Sequence, residues 1–87
     1  MSVVFELYGP ARRRAGQAEI TVDGRTVGEA LRHLEAACPP LAGPVIQNGH
    51  LSCHYRLSLN GRRFVSDPGH PLAAADRLIL LSAEAGG

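Results

Sequence analysis

Arg77-Leu78-Ile79-Leu80-Leu81, followed by Ser82-Ala83-Glu84-Ala85-Gly86-Gly87, is the stretch on which the fold of this chain turns. In an extended chain Leu78 and Leu80 project one way and Ile79 and Leu81 the other, so the run is apolar on both faces. Such a strand sits centrally in a sheet, or lays its second face against a partner. Beyond Leu81 the sequence carries no signal for a turn, second strand or cap. Ordering two glycines costs backbone entropy and supplies no side chain to bury. Gly86 and Gly87 therefore read either as a frayed end or as a chemical handle.

Upstream, the chain supplies partners for that strand. Residues 2–8 alternate, with Val3, Phe5 and Leu7 on one side, which predicts a strand with one strongly apolar face. Gly9-Pro10 breaks it, and Arg12-Arg13-Arg14 reads as a basic connection. Ile20 and Val22 alternate with Glu19 and Thr21, which predicts an antiparallel hairpin with a loose loop. Thr26-Val27-Gly28-Glu29 fits a capping box. Val27, Ala30, Leu31, Leu34 and Cys38 then recur at helical spacing, and Pro39-Pro40 stops the helix. Gly28 is a mild local cost inside it.

Residues 39–55 read as an irregular loop, with Val45-Ile46 dipping into the core. Leu57 and Leu59 point inward from the next strand. Asn60-Gly61 is a strong hairpin signal, because a type I′ turn needs positive φ at both central residues. Arg62-Arg63-Phe64-Val65 returns as a short strand, and Leu72 plugs the core. The predicted order is β-β-α-β-β-β in one domain, 1–87, with 82–87 as a flexible Gly-Gly tail. With one main helix available, a mixed sheet of four or five strands covers one face and leaves the other open: an α+β fold.

Composition excludes several classes. Eighty-seven residues allow one modest core, burying roughly 60–65% of the unfolded surface. A net charge of +1 gives no general drive toward nucleic acid or anionic membrane, and the few aromatics offer no stacking platform for bases. No apolar run approaches the ~20 residues needed to span a bilayer, and the N-terminus shows no signal-peptide pattern. A cytoplasmic protein with no membrane partner is expected. All nine basic residues are arginines, so no lysine amine is available for self-conjugation. Cys38 and Cys53 make no disulfide framework. With His33, His50, His54 and His70 they lack metal-ligand spacing, so no metal site is expected.

A helix opening Thr26-Val27-Gly28-Glu29, a Leu57-Ser58-Leu59-Asn60-Gly61-Arg62 hairpin, Pro71-Leu72 ahead of Asp76-Arg77-Leu78-Ile79-Leu80-Leu81, and a closing Gly86-Gly87 together resemble the MoaD/ThiS family. These are small sulfur carriers with the ubiquitin-like β-grasp fold. The resemblance covers nearly the whole chain and implies that the carboxylate of Gly87 is adenylated and converted to a thiocarboxylate, with Gly86 as its slender neighbour. It implies an E1-like adenylating enzyme as partner, which uses ATP and magnesium; no cofactor is bound by this chain. It further implies a sulfur-accepting synthase, most directly the large subunit of a molybdopterin synthase. Thiamine-type or other thiocarboxylate delivery is the alternative, and a ubiquitin-like modifier or interaction module is the rival class. The protein would be a co-substrate subunit and not a catalyst alone. Where many molybdopterin-type members carry prolines and a valine before the tail, this chain has Ser82-Ala83-Glu84-Ala85.

The chemistry fits such an end. A C-terminal carboxylate, of reference pKa ~3.3–3.7, is anionic and a poor electrophile at neutral pH. Attack on the α-phosphate of ATP turns it into a mixed anhydride that a sulfur nucleophile can open. No phosphate-binding loop is present to hold ATP. Residues 82–87 extended reach roughly 20 Å at ~3.3–3.6 Å per residue. Two residues without Cβ can thread a narrow channel. Ile79, Leu81, Ser82, Ala83, Glu84 and Ala85 are the expected partner-binding residues, with Val4 adding to an apolar patch that either docks a partner or lies under the 39–55 loop. The arginine triplet either meets an acidic partner or is a solvated loop.

Overall fold

The computed structural model describes residues 1–83. Its main strands are β1 (Ser2–Leu7), β2 (Glu19–Asp23), β5 (Tyr55–Leu59), β6 (Arg63–Val65) and β7 (Arg77–Ser82); β3 (Ile46–Gln47) and β4 (His50–Leu51) form a small separate ribbon. The five main strands make one mixed sheet in the order β2-β1-β7-β5-β6. β1 and β7 run parallel, with Phe5 beside Leu78 and Leu7 beside Leu80. β7 pairs antiparallel with β5 on its other side, so the two-sided apolar run is central, as its pattern requires. The main helix, α2 (Val27–Ala37), covers one face. Val3, Phe5, Leu7, Leu57, Leu78 and Leu80 meet Ala30, Leu31 and Leu34 there, all at 3% exposure or less. Fully burying each of the larger side chains is worth about 1.5–3 kcal/mol. The expected α+β class and β-grasp arrangement stand.

The N-cap half of the capping box is present: the Glu29 amide donates to Thr26 Oγ1 at 3.2 Å. Gly28 is more than a cost. Its amide donates to the Pro68 carbonyl at 2.8 Å, and a Cβ would stand 3.1 Å from that proline's own Cβ. The glycine lets the 66–71 crossover lie against the helix start, and Leu72 then enters the core.

Two segments differ from expectation. The supposed loose loop after β1 is a helix, α1 (Gly9–Ala15). Pro10 sits in its first turn, where a missing N–H costs nothing and φ is already helical. Gly16 closes it at φ 71°, its amide donating to Arg12 O at 2.9 Å. Gly-Pro was a start signal as well as a stop. The 39–55 segment is also ordered. A 3-10 turn at Pro39–Leu41 leads to the β3–β4 ribbon. Asn48 and Gly49 both take positive φ at its turn. Leu41, Val45 and Ile46 are fully buried, so Val45-Ile46 does dip into the core. The segment packs on α1 and α2, on the helix side of the sheet.

Candidate functional site

The site begins where β1 and β7 part. β1 ends at Leu7; the Tyr8 amide reaches Leu80 O at 3.3 Å, and Gly9, at φ 57°, turns the chain into α1. β7 outlasts its neighbour. In the ladder Leu81 and Ser82 stand opposite Arg56 and Tyr55 of β5, and the Ala83 amide donates to the His54 carbonyl at 2.8 Å. The Ser82 and Ala83 part of the expected tail is thus tied to the body of the fold. Glu84, Ala85, Gly86 and Gly87 lie outside the described residues.

Register assigns the face opposite α2. Ser58 lies between Ile79 of β7 and Phe64 of β6, while Glu6 and Glu19 continue the row on the far side. Leu81 stands beside Arg56. Ile79 and Leu81 are half-buried, and Phe64 is 55% exposed. The Arg56 guanidinium stands 5.5 Å from the centre of the Phe64 ring, within range of a cation–π contact. The patch is therefore Ile79, Leu81 and Phe64, rimmed by Arg56.

Val4 is also half-buried on this face, but its β7 neighbour is Arg77, not Ile79. Arg77 Nε lies 2.6 Å from Glu6 Oε2, and its Nη2 lies 2.5 Å from Glu19 Oε2. Tyr8 donates its hydroxyl to Glu6 Oε1 at 3.0 Å. A polar band therefore separates Val4 from the patch. The hydrogen bond from Arg77, with help from Tyr8, holds the Glu6 carboxyl below its usual range, and the contact with Glu6 raises Tyr8. These directions describe a fixed network rather than a proton-transfer group.

Sequence reasoning missed Phe64 for a definite reason. A tight two-residue turn at Asn60-Gly61 would pair Leu59 with Arg62 and aim Phe64 into the core. The turn is there: both residues have positive φ, and the Arg62 amide donates to Leu59 O at 3.0 Å. Yet the ladder pairs Leu59 with Arg63. That one-residue shift reverses every side chain of β6, placing Phe64 outside and Val65 inside.

Cys38 is buried at the end of α2 and Cys53 is exposed. Among the described residues no group of three or more His, Cys, Asp or Glu is placed to hold a metal ion, and no helix is long and apolar enough to cross a membrane. Arg12, Arg13 and Arg14 are exposed on α1, which packs beside β7.

No protein-family model matches the sequence. Small archaeal modifier protein 3 from Haloferax volcanii is 34% identical over 79 residues, covering 87% of this chain and 86% of that protein. The crystal structure of SAMP1 from the same organism superposes with a TM-score of 0.85 at 32% identity, covering all of both chains. A complex of subunits 1 and 2 of the molybdopterin-converting factor from Helicobacter pylori contains the same fold. Its TM-score is 0.63 at 19% identity, with 94% of this chain and 93% of that one covered. The chain belongs to the MoaD/ThiS-like family of ubiquitin-fold proteins, which includes the small archaeal modifiers.

Proposed function

We propose that this protein is a carrier whose Gly87 carboxylate is activated by an ATP-dependent adenylating enzyme and converted to a thiocarboxylate. A carboxylate oxygen attacks the α-phosphorus of ATP and pyrophosphate leaves. A sulfur nucleophile then attacks the acyl carbon and AMP leaves. ATP, its magnesium and the groups that stabilise charge reside on the activating partner. The carrier contributes reach, a slender Gly86-Gly87 end and a docking face. The observation that carries this reading is the end of β7: it is held by His54 up to Ala83, beside an apolar patch of half-buried Ile79 and Leu81 and exposed Phe64. From that anchor, four extended residues span about 13–14 Å, enough to deliver a carboxylate into a neighbour's pocket.

The sulfur recipient we favour is a molybdopterin synthase large subunit seated on this patch. The subunit 1–subunit 2 complex of the Helicobacter pylori factor, which shares the fold, supports that choice. Identity to a small archaeal modifier protein favours a second use of the same activated end: attack by a target amine to give an amide-linked conjugate. ATP–pyrophosphate exchange with a purified activating enzyme tests the common step. Exchange should require this chain and disappear when Gly87 is deleted. Exchange that survives the deletion would refute it.

A further inference from the structure

A cleft of about 400 Å³ lies between the start of α2, β4 and the β5–β6 hairpin, on the helix side of the sheet. Val27, Leu31, Leu51, Leu57, Val65 and Pro68 supply its apolar lining. None of the lining residues is acidic, and the two basic ones are His50 and Arg56. Arg62 and Arg63 are exposed on the same hairpin, Arg63 Nη2 lying 3.3 Å from His70 Nε2. The nearby acid Asp67 accepts from the Gly69 amide at 2.9 Å. Among the described residues β6 is the last strand of the sheet and pairs only with β5. An edge strand of this kind offers one row of backbone donors and acceptors to an added strand.

We propose that this cleft and the β6 edge together form a docking groove for an extended segment of a partner protein, apolar at alternating positions and flanked by acidic residues. The segment adds as a strand along β6. Its backbone pairs with the free edge, and every second side chain enters the cleft. Its acidic flanks meet Arg62 and Arg63, which sets orientation and favours encounter. Ser52 and Cys53 line one end of the groove, and His54, next in the chain, holds the Ala83 amide. A partner seated there lies at the same end of the sheet as Ala83. The groove stands on its own geometry and does not require the tail chemistry.

The test is titration of the ¹⁵N-labelled full chain with a synthetic peptide, Asp-Glu-Val-Thr-Val-Thr-Val-Asp-Glu, monitored through amide chemical shifts. Saturable shifts at Leu51, Leu57, Phe64 and Val65 are expected. The same peptide with its acids replaced by lysines should bind about tenfold more weakly. The double variant Arg62→Glu, Arg63→Glu changes only exposed positions. It should weaken binding of the acidic peptide about tenfold and reverse the preference. Absence of saturable shifts, equal binding of the lysine peptide, or shifts confined to Ile79 and Leu81 would overturn the proposal. So would shifts that appear on concentrating the protein alone, which would assign the groove to a second copy.

Discussion

The Ala83 amide donates to the His54 carbonyl at 2.8 Å, one residue beyond the end of β7. Among the described residues this bond is the last backbone tie from the end of β7 to the body of the fold. Ala83→Pro removes the donor and leaves the sheet intact. Stability should fall by about 1 kcal/mol, read as a lower urea midpoint with an unchanged slope. An unchanged midpoint would mean that this bond adds nothing to stability.

The apolar patch should carry partner affinity without carrying the fold. Phe64 is 55% exposed, so Phe64→Ala should alter thermal stability little. If the ring anchors the partner, the same change should weaken binding by about 2 kcal/mol, roughly 30-fold. Calorimetry against the activating enzyme or the synthase subunit measures this, and equal affinity would remove Phe64 from the interface.

Acid should weaken the fold through two carboxyls. Arg77 and Tyr8 hold Glu6 below its ordinary range, and the Ala73 amide with the Asn60 side chain does the same for Asp76. A depressed carboxyl contributes stability that is present above its unfolded value, about 4, and is lost as pH falls through its folded value. Melting temperature should therefore drop between about pH 5 and pH 3. Glu6→Gln should flatten part of that slope. Tyr8 works in the opposite sense: its raised value contributes stability below about pH 10 that is lost as pH rises further.

Asn60 does more than turn a corner. At φ 56° its Nδ2 donates to Asp76 Oδ1 at 3.0 Å, and its Oδ1 accepts from the Arg77 amide at 2.8 Å. It thereby clamps the hairpin to the start of β7. Asn60→Ala loses both bonds and takes a strained backbone, and should cost about 2 kcal/mol in chemical denaturation. Asn60→Gly keeps the turn but not the clamp, and should cost less.

The central strand was legible because Leu78 through Leu81 are apolar on both faces, and burial leaves a sequence no other use for such a run. α2 was legible from its cap and stripe. α1 was not: it has seven residues, one of them buried, and three consecutive arginines mask any stripe. The exposed part of the apolar patch, Phe64, was hidden by the Leu59–Arg63 register, which turn chemistry alone does not specify. Arg77 reads in sequence as one more surface cation. Its role as a tie from β7 to β1 and β2 appears only when Glu6 and Glu19, distant in the chain, become its neighbours.

The most direct test of the central claim is the intact mass of the purified full chain after incubation with ATP, an adenylating enzyme and a sulfide-level sulfur donor. A mass gain equal to one oxygen replaced by one sulfur is expected, localised to Gly87 by fragmentation and absent without ATP. An unchanged mass alongside an enzyme that charges its own known carrier would contradict it, as would a native chain that carries further residues beyond Gly87.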